Sequence, residues 1–108
     1  STKVFDLSDL SNPKLHLNYF AGVNAIDHNG YTKGDQFFIA SYTAGLRVLD
    51  LSGIGEKQVE ETGYFDTYPV NNNAAFAGAW NVYPYFESGV IAINDINSGL
   101  FLVKASVD

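Results

Sequence analysis

The chain has 108 residues, 46% of them hydrophobic and 17% charged, with a formal net charge of −6. That length bounds it to one domain at most, and a composition this apolar excludes intrinsic disorder. Six scattered Lys and Arg exclude the clustered cations that nucleic acid requires, and the absence of Cys excludes disulfides, thiolate metal sites and cysteine nucleophiles.

In chain order, residues 1–22 read as two strands joined by the turn "DLSDLSNP". Residues 23–67 read as four strands at 25–32, 36–42, 46–51 and 59–65. Turn signals separate them: Lys33-Gly34-Asp35, Thr43-Ala44-Gly45 and Ser52-Gly53-Ile54-Gly55. The second strand is nearly all apolar, as a strand buried on both faces would be. The fourth, "QVEETGYF", is polar enough for an outer edge. Residues 68–76 carry Pro69 and three consecutive Asn and read as an inserted loop. Residues 77–108 read as three further strands. No helical period is visible.

The segments repeat one another. "VFDLS" at Val4 recurs as "VLDLS" at Val48, 44 residues on, and Gly45-Leu46 recurs at Gly99-Leu100, 54 residues on. "NYF" at Asn18 answers "GYF" at Gly63. "IDHNGY" at Ile26 answers "GAWNVY" at Gly78, setting His28 opposite Trp80. "FFIASYTAGL" at Phe37 answers "VIAINDINSGL" at Val90 with one residue added. Four-stranded repeats of about 45 residues are the signature of a β-propeller. The expected fold is therefore all-β: a propeller segment of about two to two and a half four-stranded antiparallel blades. Such a segment leaves apolar faces to be covered by the remaining blades, from the parent chain or from other copies.

These stretches resemble the C-terminal part of the bacterial choice-of-anchor B family, whose propeller repeats are of the LVIVD type. The resemblance is carried by "DHNGYTKG", "SYTAGLRVLD", "GYFDTYP" and "AWNVYPYFESG", and "VFDLSDLSNPKL" looks like an LVIVD repeat. It implies an exported bacterial protein, extracellular or at the cell surface, with more blades on the N-terminal side. It implies no particular activity. The opening "STKVFDLSDL" lacks the charged start and apolar run of a signal peptide, so the residues alone leave either a cytoplasmic protein or a processed or trimmed piece of an exported one, the second being what the resemblance implies. No apolar stretch approaches bilayer length, so no membrane insertion is expected.

His28 is the best catalytic candidate, since a carboxylate beside an imidazole can orient a general base. Asp27 is its neighbour, and Asp95 is a third candidate. Adjacent strand residues point to opposite faces, however, and the copy with Trp80 has no proton chemistry there. His28 is therefore expected to bond a backbone carbonyl of the next blade, with no catalytic residue assigned. His16, in the outer strand "KLHLNYF", reads as surface decoration. Asp27, Asn29 and Asp35 in "DHNGYTKGD", and Asp95 and Asn97 in "NDINSG", are weak calcium candidates. The EF-hand positions after Asp27 hold Thr32 and Phe38 where Gly and Glu are needed. No other cofactor is indicated.

The aromatic run "AWNVYPYFESG" is the most distinctive stretch. Trp80, Tyr83, Tyr85 and Phe86, with Tyr68 of the preceding insert, are the expected binding residues, because aromatic platforms take sugars and proline-rich or unfolded peptides. The sequence thus points to a non-catalytic binding or scaffolding module with a glycan or protein ligand. Its rival is a propeller hydrolase or lyase with its site in the central channel.

Overall fold

Nine strands succeed one another as meanders in the computed structural model, which describes residues 1–105. The first sheet pairs β1 (Thr2–Asp6) with β2 (Lys14–Tyr19). The second orders β3 (Asn29–Lys33), β4 (Gln36–Ala40), β5 (Leu46–Asp50) and β6 (Glu60–Phe65). The third orders β7 (Ala79–Tyr83), β8 (Val90–Asp95) and β9 (Gly99–Lys104). Every pairing is antiparallel and between consecutive strands. The fold is all-β; the one helical element among the described residues is a single 3₁₀ turn, Ile54–Glu56. No helix among them is long and apolar enough to cross a membrane.

All four strands expected in residues 23–67 form, with two ends trimmed by more than one residue. The first starts only at Asn29, because Asp27 is diverted into side-chain bonds. It accepts from Thr2 Oγ1 at 2.7 Å and from Ser41 Oγ at 3.0 Å. The second stops at Ala40, because Tyr42 turns away (φ 40°) and pairs with Ala79 of the third sheet.

The copies share geometry as well as letters. The extra residue of each β-bulge is His16 of β2 and Thr62 of β6, so the pairing jumps between Val4 and Phe5 in β1 and between Val48 and Leu49 in β5. Each strand then ends in the same Asx turn: Ser8 N–H donates to Asp6 Oδ1 at 2.8 Å, and Ser52 N–H to Asp50 Oδ1 at 2.9 Å.

Two expected alignments shift. Val4 faces Leu17 and Val48 faces Gly63, so Tyr19 stands where Phe65 stands, not Tyr64. The β5–β6 connection, with its 3₁₀ turn, is two residues longer than the β1–β2 connection, and a one-residue slip exchanges the faces of a strand. Likewise Gly30 faces Ile39 while Val82 faces Ile93, so Ile93 takes the place of Ile39. The added length lies in the β7–β8 connection rather than the turn before Gly99.

The sheets stack in chain order. Phe38, Ala40 and Leu46 of the second sheet pack with Ala79, Val82, Ile91 and Ile93 of the third, and Val48, Phe101 and Val103 border this core. Burying aliphatic side chains of this size contributes roughly 1.5–3 kcal/mol each. On the other face, Ile39 and Leu49 lie with Thr2 and Tyr19 of the first sheet. β4 is thus buried on both faces, as its apolar run predicts. The two outermost faces are open: Phe5 and its cross-strand partner Leu15 on the first sheet, Leu100 and Leu102 on the third.

Polar ties cross both seams. His16 Nε2–H donates to the Ile54 carbonyl at 2.7 Å, joining β2 to the β5–β6 turn. His16 is therefore half-buried and structural, against its expected place as surface decoration. Between the second and third sheets, Tyr42 and Ala79 exchange backbone bonds of 3.1 and 2.9 Å.

Candidate aromatic binding surface

β3 and β7 lie side by side at the seam of the second and third sheets and hold repeat-equivalent rings. Tyr31 and Tyr83 occupy the same place in the two copies, as do His28 and Trp80. Around them the aromatic side chains gather into two separate clusters.

The first cluster lies where β3 and β7 begin. The His28 ring stands 4.7 Å from both Tyr42 and Trp80, and Tyr42 is 5.5 Å from Phe76. His28 Nδ1–H donates to the Trp80 carbonyl at 2.8 Å, and Asn29 Nδ2 donates to the same oxygen at 3.0 Å. The imidazole is held as a strut between sheets. The inserted loop closes over this end, with buried Thr43 donating from Oγ1 to the Asn73 carbonyl at 2.7 Å.

The second cluster lies where the same strands end. Tyr85 sits 5.7 Å from Tyr31 and 5.5 Å from Tyr83, and Tyr83 is 4.9 Å from Phe86. Pro84 is fully buried beneath them. The Tyr85 hydroxyl donates to the Thr32 carbonyl at 2.5 Å, and Lys33 Nζ donates to the Pro84 carbonyl at 3.4 Å. These bonds lock the β7–β8 connection onto the β3 end. All four rings remain between 36 and 47% exposed. Four touching, half-exposed rings on a braced backbone can stack with a ligand at small entropic cost.

Of the expected binding residues, Tyr83, Tyr85 and Phe86 come together here. Trp80 belongs to the first cluster, and Tyr68 joins neither ring set; its backbone N–H donates to Asp66 Oδ1 at 2.8 Å. Tyr31 was not expected. Its signal was available, since "IDHNGY" aligned on "GAWNVY" sets it opposite Tyr83.

The catalytic candidates do not join into a relay. Asp27 bonds Thr2 and Ser41 at the seam with the first sheet, while His28 bonds Trp80 at the seam with the third. Asp95 is spent on its own turn, accepting at Oδ1 from the N–H groups of Asn97 and Ser98 at 2.9 and 2.8 Å. Asn97 Oδ1 accepts from Gly78 N–H at 2.9 Å. Asp95 Oδ2 is buried without a partner among the described residues, but one oxygen is far from the six to eight that calcium takes. Asp35 lies in the β3–β4 turn, at the far end of the strand from Asn29. No group of three or more His, Asp or Glu among the described residues is placed to hold a metal.

Compared with known proteins, the chain matches no family model, no curated protein and no solved structure.

Proposed function

We propose that this chain is a β-propeller segment of an exported bacterial surface protein of the choice-of-anchor B type, acting as a non-catalytic binding module. Its ligand is a glycan or a protein, held at the cluster of Tyr31, Tyr83, Tyr85 and Phe86. The propeller reading is supported by stacked antiparallel meanders with the same bulge and Asx turn in successive copies. Both outer sheet faces stay apolar, as they would where further blades cover them.

The binding reading rests on one observation: four rings in a contact row, Tyr31–Tyr85–Tyr83–Phe86, stay half-exposed although the backbone beneath them is braced. Rings that only fill a core do not remain this open. The test is to compare the chain with its Tyr83→Ala/Tyr85→Ala form on arrays of glycans and of extended peptides. Retention of a ligand class by the parent and its loss in the double variant is the expected result. Equal retention by both, or by neither, would sink the assignment.

A further inference from the structure

We propose that the free edge of β9 and the cleft beside it accept an extended segment of a partner protein, acidic at its start and aromatic at its end, as a fourth strand of the third sheet. This site does not rest on the ring cluster. The first argument is the edge. β9 stands in the third sheet where β5 stands in the second. β5 is paired by β6, whereas β9 has no further strand beside it among the described residues. Its run Gly-Leu-Phe-Leu-Val-Lys is apolar, free of proline and in unbroken register with β8. Edges are usually blunted by proline, bulges or several charges. This one keeps a row of N–H and C=O groups open to strand addition.

The second argument is the cleft. It measures about 960 Å³ and is lined by Phe38, Leu46 and Val48 of the second sheet and Ile91 and Val103 of the third. Binding pockets run from roughly 300 to 1,000 Å³. A strand added to β9 faces β6 across this gap, and every second side chain enters it. Phe65 of β6, 5.6 Å from Phe101 of β9, offers an aromatic contact there.

The third argument is charge. Lys33, Lys104 and Glu61 line the cleft, while Glu87 of the β7–β8 connection does not. Glu61 is paired with Arg47 at 3.2 Å, but neither lysine is in ion-pair contact with a carboxylate among the described residues. In a chain of net charge −6 this cleft therefore presents unpaired positive charge. The repeat places it. Lys104 holds the position of Asp50, and Asp50 faces Glu60 of β6. A strand in the register of β6 sets the counterpart of Glu60 opposite Lys104, a favourable cross-strand pair, and the counterpart of Phe65 opposite Leu100.

The experiment titrates the full chain with an end-blocked peptide of residues 58–65, QVEETGYF. Three further probes are the same peptide with both glutamates replaced by lysine, the same peptide with its threonine replaced by proline, and laurate. Calorimetry gives affinities, and amide hydrogen exchange gives the place. Saturable binding of the acidic peptide is expected, with new protection along β9; the proline peptide should bind weakly, since it cannot complete a ladder. Lys104→Glu should weaken the acidic peptide by on the order of tenfold, and the lysine peptide should bind that variant better than the parent, which unfolding could not produce. Lys14→Glu, the same charge change on exposed β2, should leave binding unchanged. Equal binding of the acidic and lysine peptides, protection centred on another strand, or binding of laurate but no peptide overturns the proposal. Protection of the β9 amides before any peptide is added means that a second copy or more of the same chain already holds the edge, and overturns it too. So does binding of no probe.

Discussion

Gly45 and Gly99 hold the same place in two copies of the repeat, and both are left-handed, with φ of 75° and 81°. Their surroundings differ. A Cβ on Gly45 would collide with the Phe65 carbonyl and crowd the Thr67 amide, whereas one on Gly99 would meet nothing. Gly99→Ala should therefore cost only the left-handed penalty, roughly 1–2 kcal/mol. Gly45→Ala should cost that plus a backbone clash, about 3 kcal/mol or more. Urea midpoints of the two variants check this; equal losses would mean the Gly45 turn moves freely. Tyr19 makes a second prediction. Burial pushes its phenol above the ordinary tyrosine value, and the nearby carboxylates of Glu61 and Asp27 add to this against an opposing Arg47. A raised folded value means that the neutral phenol is favoured in the native state. Its stabilisation is whole below the unfolded phenol value, about 10, and is lost as pH rises through the folded one. Tyr19→Phe should flatten the fall of stability above pH about 10, measured by denaturation at stepped pH. At the acid end, Asp6 is held below the usual carboxylate range by the Ser8 backbone N–H, then the Ser8 hydroxyl. None of these values could be read from composition, since each depends on a partner brought in by folding.

At the scale of the strands, most of the pattern was legible. The Val-Leu-Asp-Leu-Ser strand, the apolar β4 and the polar β6 each carry their environment in their side chains, and each forms where the alternation and turn residues place it. Two strand alignments slipped by one residue. The reason is physical: the Tyr-Phe letters match best when Tyr19 is set on Tyr64, but the longer turn before β6 shifts the pairing so that Tyr19 stands where Phe65 does. The aromatic surface was half legible. Proximity in sequence joined Trp80 to Tyr83 and Tyr85, but three residues of strand run about 10 Å. Trp80 therefore falls into the cluster at the start of β7 and Tyr83 into the one at its end. Tyr31 comes from a different sheet altogether. Packing across the seam makes the next prediction. Ile93 is fully buried in the core between the second and third sheets. Ile93→Val should cost about 0.5–1.5 kcal/mol and Ile93→Ala about 2–5 kcal/mol in chemical denaturation. Glu61→Gln should cost about 1–3 kcal/mol, since the Arg47–Glu61 pair at 3.2 Å is largely covered, its side chains 14 and 29% exposed, although Arg47 keeps its place over the Tyr64 ring. A larger loss would show that β6 depends on charge rather than on its ladder.

For the molecule as a whole, the open faces set the behaviour. Leu100 and Leu102 on one side, and Phe5 and Leu15 on the other, correspond to positions that neighbouring sheets cover within the stack. If further sheets of the same kind belong there, the isolated chain should associate as concentration rises, by light scattering or native mass spectrometry. Leu102→Asp should reduce that association without lowering the unfolding midpoint by more than about 1 kcal/mol, since its side chain is 64% exposed. A chain that stays monomeric at all concentrations would argue for a stack that ends at its own surfaces. The seam between the second and third sheets adds a geometric consequence. Backbone joins them at Tyr42 and Ala79, near the first strands, while toward β5, β6 and β9 they part around a cleft of about 960 Å³. Plates fastened along one margin and spread along the other cannot pile into a straight column. If further plates of the same kind join the row, each turns it by a similar increment, and the opening of this wedge then sets how many a closed ring would need.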